Sequence, residues 1–128
     1  MAEDPIEQEI QSKGLTAPRV TPADIEAEIA SERYFTAADG AYGASMRAAA
    51  LASPTAVSAY DEATPALRLL TFCVLILRNG FTVTGESACA SPENFDAEIG
   101  RKIARQNAVQ KIWPLLGFRL RDQLAAGA

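Results

Sequence analysis

The stretch from Arg68 to Trp113 constrains the fold more than any other part of the chain. Arg68 to Leu77 is rich in Leu, Val, Ile and Phe and reads as a strand. Asn79-Gly80 supplies residues able to take positive φ, as a type I′ hairpin turn requires, and Phe81 to Cys89 reads as the returning strand. Ser91-Pro92 then opens a helix, with Ser91 as N-cap and Pro92 at the first helical position, where no amide donor is needed. Pro114 ends or kinks that helix because it lacks the donor for the next rung. The expected unit is a β-hairpin, about 68–77 and 81–89, packed by a long helix, about 92–113.

The remainder places this unit in an α+β domain with a small antiparallel sheet and N-terminal helices. Residues 1–20 read as an arm with one short helix: Asp4-Pro5 starts it, Ile6 and Ile10 lie four apart, and Gly14 ends it. Thr21-Pro22-Ala23-Asp24 repeats the cap and first-turn pattern and opens a helix expected to reach about Arg33, with Ile25 and Ile29 as its apolar stripe. Tyr34-Phe35-Thr36 is a candidate additional strand beside the hairpin. Segment 39–65, punctuated by Gly40, Gly43, Pro54 and Pro65, reads as an elaborated loop with a short helical piece over Met46–Leu51. Residues 21–124 are therefore expected to form one domain, with Leu115 to Leu124 adding an amphipathic turn and 125–128 a disordered tail.

Pairing Arg78 with Phe81 across the turn sets Cys73 opposite Glu86 and Cys89 opposite Leu70, on opposite faces, so the two cysteines cannot bridge. In that register Leu70, Phe72, Val74 and Ile76 share a face with Cys89, Ser87, Gly85 and Val83. Thr71, Cys73 and Leu75 then share the other with Glu86, Thr84 and Thr82. The first strand is apolar on both faces, which predicts cover on both. A 128-residue chain with few helices does not obviously supply it, which points to self-association.

The long helix divides into sectors at about 100° per residue. Phe95, Ile99, Ile103 and Trp113 form a large apolar stripe, and Ala97, Gly100, Ala104 and Ala108 a strip of small residues suited to close approach. Between them stand Arg101 and Arg105, four apart, so that both guanidinium forks project from one side. Such a pair suits bidentate contact with phosphate, and equally suits surface ion pairs with Glu98 and nearby acids. Thr82, Thr84 and Glu86 are candidates for ribose or phosphate contact, or simply the polar side of a strand; Asn94 and Ser91 are capping groups or ligands.

Charge is uneven. Residues 1–32 hold eight acids against Lys13 and Arg19, whereas residues 101–128 hold six bases against Asp122 alone. The net charge of −4 disfavours a general nucleic-acid coat but not a small anion in a local basic pocket. The chain has no histidine, no metal-ligand cluster and no nucleophile with an evident base, so neither a catalytic residue nor a metal or other cofactor is expected. No apolar run approaches the ~20 residues of a membrane span, and the acidic N-terminus has no signal-peptide core, so a cytoplasmic protein without membrane contact is expected.

From Asn79 onward the run NGFTVTGESACASPENFDAEIGRKIARQNAVQKIWPLLGFRLRDQL carries the motif F-x-V-x-G-x-S-A-C followed by N-F-D-x-E-I-G-R-x-x-A-R. It resembles a family of small tailed-phage and prophage proteins, over Leu70 to about Leu124; TPADIEAEIASERYF is similar to the family's N-terminal part. That family is identified here with one that includes the Thoeris anti-defence sponges. The resemblance implies a protein that sequesters cyclic ADP-ribose isomers, and in some members cyclic oligonucleotides, without cleaving them. It also implies a symmetric homo-oligomer in the host bacterial cytoplasm with pockets involving two protomers. It implies further that Arg101 and Arg105 meet ligand phosphates while positions near Thr82 and Thr84 line the pocket. A protein-interaction module that presents the acidic arm to a host protein is the alternative expectation.

Overall fold

The computed structural model describes residues 4–51 and 65–127. Helix α1 (Pro5–Ser12) and helix α2 (Pro22–Glu28) lead into strand β1 (Ile29–Thr36) and helix α3 (Ala37–Leu51). Strands β2 (Leu70–Leu77) and β3 (Thr82–Ala88) form the hairpin, and helices α4 (Ala97–Gln110) and α5 (Ile112–Gly127) complete the chain. The sheet is antiparallel in the order β1-β2-β3, so β2 is central and the fold is α+β, as the sequence predicts.

The local signals explain most starts. Asp4 caps α1 by accepting from the Ile6 amide, and Thr21 and Asp24 close a reciprocal capping box on α2. Thr36 and Asp39 do the same at the head of α3: the Thr36 amide donates to Asp39 and the Asp39 amide to Thr36. That box turns the first part of the expected 39–65 loop into a fifteen-residue helix despite Gly40 and Gly43; residues 52–64 of that expected loop lie outside the described residues.

Three boundaries differ from expectation. The second helix stops at Glu28, and its last expected turn is strand instead, because the adjoining Tyr34-Phe35-Thr36 pairs with β2 and the ladder extends back through residues 31–33 to Ile29. Ser91 caps no α-helix: Pro92–Asn94 is a 3-10 turn, and α4 begins at Ala97 with Asp96 as N-cap, its carboxylate accepting from the Ile99 amide. α4 ends at Gln110, and Pro114 falls in the first turn of α5, where its missing donor costs nothing; α5 runs on through residues 125–127.

The hairpin turn also corrects the register. Leu77 pairs with Phe81 around a three-residue loop, Gly80 alone takes positive φ (+87°), and the Asn79 carboxamide accepts from the Phe81 amide. The loop is a glycine-bulged turn instead of type I′. One extra loop residue moves every partner by one: Cys73 faces Gly85, and Glu86 faces Phe72. The cysteines are both free, as expected.

The true register sorts the faces differently from the expected one. Thr71, Cys73, Leu75 and Leu77 share one face with Gly85 and Val83, and there Ile25, Ala104, Ala108, Ile112 and Leu116 complete the core. The small strip of α4, not its large apolar stripe, packs on the sheet: Gly100, Ala104 and Ala108 are buried, while Ile99 is 55% and Ile103 41% exposed. Gly85 makes this contact possible. A Cβ there would overlap the Ala104 carbonyl oxygen and the Ala108 nitrogen, so strand and helix touch backbone to backbone. Asn107 of α4 reaches round the sheet margin and donates to the Glu86 carbonyl at 2.8 Å.

Candidate functional site

The two arginines of α4 have different surroundings. Arg105 donates from Nε to Glu32 at 2.7 Å, and from its two terminal nitrogens to the two oxygens of Glu26 at 3.1 and 2.8 Å. Glu32 also accepts from the Tyr34 hydroxyl at 3.0 Å. One guanidinium thereby ties α4 to α2 and β1. Glu26 and then Glu32 hold Arg105 protonated above its ordinary range, and Arg105 in turn pulls the Glu26 carboxyl down. Burial and the Glu32 hydrogen bond raise Tyr34, so the phenol stays neutral. Sequence reasoning missed this clamp, because Glu26 and Glu32 lie more than seventy positions away from Arg105 in the chain.

Arg101, one turn earlier, is exposed and has no ion pair among the described residues. It borders a cavity of about 90 Å³ between the head of α3 and the head of α4, which Thr36 and Ala97 also line. Both helices direct the positive end of their dipole towards this region. Tyr34 and Phe95 contribute aromatic groups to the lining. Thr71, also in the lining, is 3% exposed, and its hydroxyl is the buried side-chain polar atom left without a hydrogen-bond partner among the described residues. A buried hydroxyl without a partner loses its hydration without compensation unless something arrives to accept from it or donate to it. Guanidinium, two helix heads and an unpartnered hydroxyl together suit an anion. The space is small, suited to a phosphoryl-sized group. Asp39 is in the lining too, with its carboxylate engaged by the Thr36 amide.

The other expected ligand residues lie elsewhere. Thr82, Thr84 and Glu86 point away from α4, on the face that Gly85 does not occupy, so the sheet separates them from Arg101. Asn94 sits in the 3-10 turn and lines a different, apolar depression with Ile99 and Ile103. A larger cleft, about 310 Å³, lies where α2 and α5 approach. There Glu7 holds Arg19 and Glu28 pairs with Arg119, so two of the three guanidinium groups are already engaged.

Among the described residues no group of His, Cys, Asp and Glu is placed to hold a metal, and no helix is long and apolar enough to cross a membrane. A family model, that of the phage protein (N4 Gp49/phage Sf6 gene 66) family, matches residues 20–124. No curated protein and no solved structure matches the chain.

Proposed function

The chain belongs to this phage protein family, and from that premise we propose that it is an anti-defence sponge: it binds a phosphate-bearing, nucleotide-derived immune signal and withholds it from its receptor without cleaving it. Cyclic ADP-ribose isomers are the first ligand class, and cyclic oligonucleotides the second. The observation that carries the reading is the cavity at Arg101, lined by an exposed guanidinium, two helix heads and Thr71, whose buried hydroxyl has no partner among the described residues.

Binding follows from those groups alone. Arg101 meets two phosphate oxygens with its planar fork, and Thr71 supplies a desolvated hydrogen bond. The remainder of the ligand lies outside the cavity. Arg105 acts one step back, since a phosphate would have to displace two carboxylates to reach it. Sequestration needs no nucleophile or general base, only affinity and a concentration above that of the signal.

Calorimetric titration with cyclic ADP-ribose isomers and cyclic di- and trinucleotides tests the proposal. Binding is expected, with intact ligand recovered after heat denaturation, and Arg101→Ala is expected to lose tenfold or more in affinity. Cleaved ligand would make the protein an enzyme, and no heat with any ligand would remove the sponge reading.

The interaction-module reading has one observation of its own. The acidic helix α1 buries no residue and lies outside the span matched by the family model. Deleting residues 1–14 should abolish an arm-mediated host contact and leave ligand binding at Arg101 intact.

A further inference from the structure

The face of the sheet turned away from α4 is a surface that the ligand cavity leaves unused. Its central strand presents Leu70, Phe72, Val74 and Ile76, all only partly buried, and Phe35 on β1 is 39% exposed with its ring 5.7 Å from that of Phe72. The core helices lie on the other face. Of α3, Gly40 approaches this side, against the Phe35 ring. Among the described residues, a central strand whose four large apolar groups are all left partly accessible on this face is a surface suited to further cover.

We infer that a second copy of this chain supplies that layer, sheet face to sheet face, about a two-fold axis parallel to the strands. The charges select this arrangement. On the open face the exposed Arg33 stands on the margin strand β1, beside Val74, and the exposed Glu86 on the opposite margin strand β3, beside Phe72. Neither has an ion-pair partner among the described residues. An axis parallel to the strands lays β1 of one copy over β3 of the other. Arg33 then meets Glu86 of the second copy one same-face step away, about 7 Å along the strand and within reach of an arginine. Symmetry forms the pair twice. An axis across the strands would lay β1 on β1 and β3 on β3, setting like charge over like, which disfavours it. The apolar centre supplies the burial and the two margins fix the orientation.

This inference stands apart from the ligand reading, because it is tested on the protein without any ligand. Sedimentation equilibrium of the full chain at micromolar concentrations is expected to give twice the 13.6 kDa chain mass. Val74→Lys places a charge in the middle of the stacked face and is expected to yield a folded monomer. Arg33→Glu is expected to weaken the dimer by about tenfold or more, and adding Glu86→Arg to restore it. A monomeric wild type, a dimer that survives Val74→Lys, or a double variant no tighter than Arg33→Glu would overturn the inference. Should Val74→Lys fail to fold, the swap of two exposed charges still decides it.

Discussion

The two faces of the one sheet are built on opposite plans. The closed face uses small residues where it meets α4: Gly85 against Ala104 and Ala108, with the Arg105 clamp locking the same helix to α2 and β1. The open face uses large groups and hydroxyls, Phe35, Phe72, Val74 and Ile76 beside Thr82 and Thr84, and carries no clamp. A backbone-to-backbone contact leaves no room for adjustment, so the closed face fixes the fold. The open face tolerates change and is free to meet something else.

Substitutions can break that contrast in graded steps. Gly85→Val is expected to cost about 3 kcal/mol or more, since the new side chain meets helix backbone that cannot move aside, and urea unfolding would show it. Thr84→Val, one residue along but on the open face, should change monomer stability by less than about 0.5 kcal/mol. Arg105→Ala leaves two carboxylates facing each other without a cation and should cost about 2 kcal/mol by urea titration. Arg105→Lys should recover only part, because a point charge cannot serve Glu26 and Glu32 in the same fork geometry. Arg101→Ala should leave the urea midpoint unchanged, and an equal loss at both arginines would refute their different roles. Thr71→Val should be neutral or slightly stabilising, since it removes a hydroxyl that has no partner, while weakening phosphate binding.

The smallest effect is the loosening of the arm by acid. Arg19 holds the Glu7 carboxyl down at about 2 from an ordinary 4.5, so their pair is intact above pH 4.5 and fades as the pH falls towards 2. Amide exchange should rise over residues 5–12 in that window before the sheet opens.

Local chemistry made the elements readable. Caps at Asp4 and Thr21 and the Asn79-Gly80 turn act within a few residues of themselves, and the strip Gly100, Ala104 and Ala108 shows in its spacing alone. The register was not readable, because Asn-Gly serves both a two-residue and a three-residue hairpin loop, and the choice decides which face Thr82, Thr84 and Glu86 occupy. The cavity was half readable. Arg101 stands out by its spacing, whereas Thr71 looks like any β-prone threonine until its hydroxyl is seen to lack a partner. The α3 capping box was present as Thr36 and Asp39 but was hidden by the glycines that follow.

The reach of Asn107 to the Glu86 carbonyl has a consequence for assembly. β3 is a margin strand, and its outward carbonyls are the natural template for another strand. By occupying one of them, α4 blocks lateral growth where the strand is otherwise open. On the opposite margin, β1 breaks its ladder with a bulge between Ile29 and Ser31. Sideways accretion into ribbons is thus discouraged on both flanks, by an occupied carbonyl on one and a broken ladder on the other.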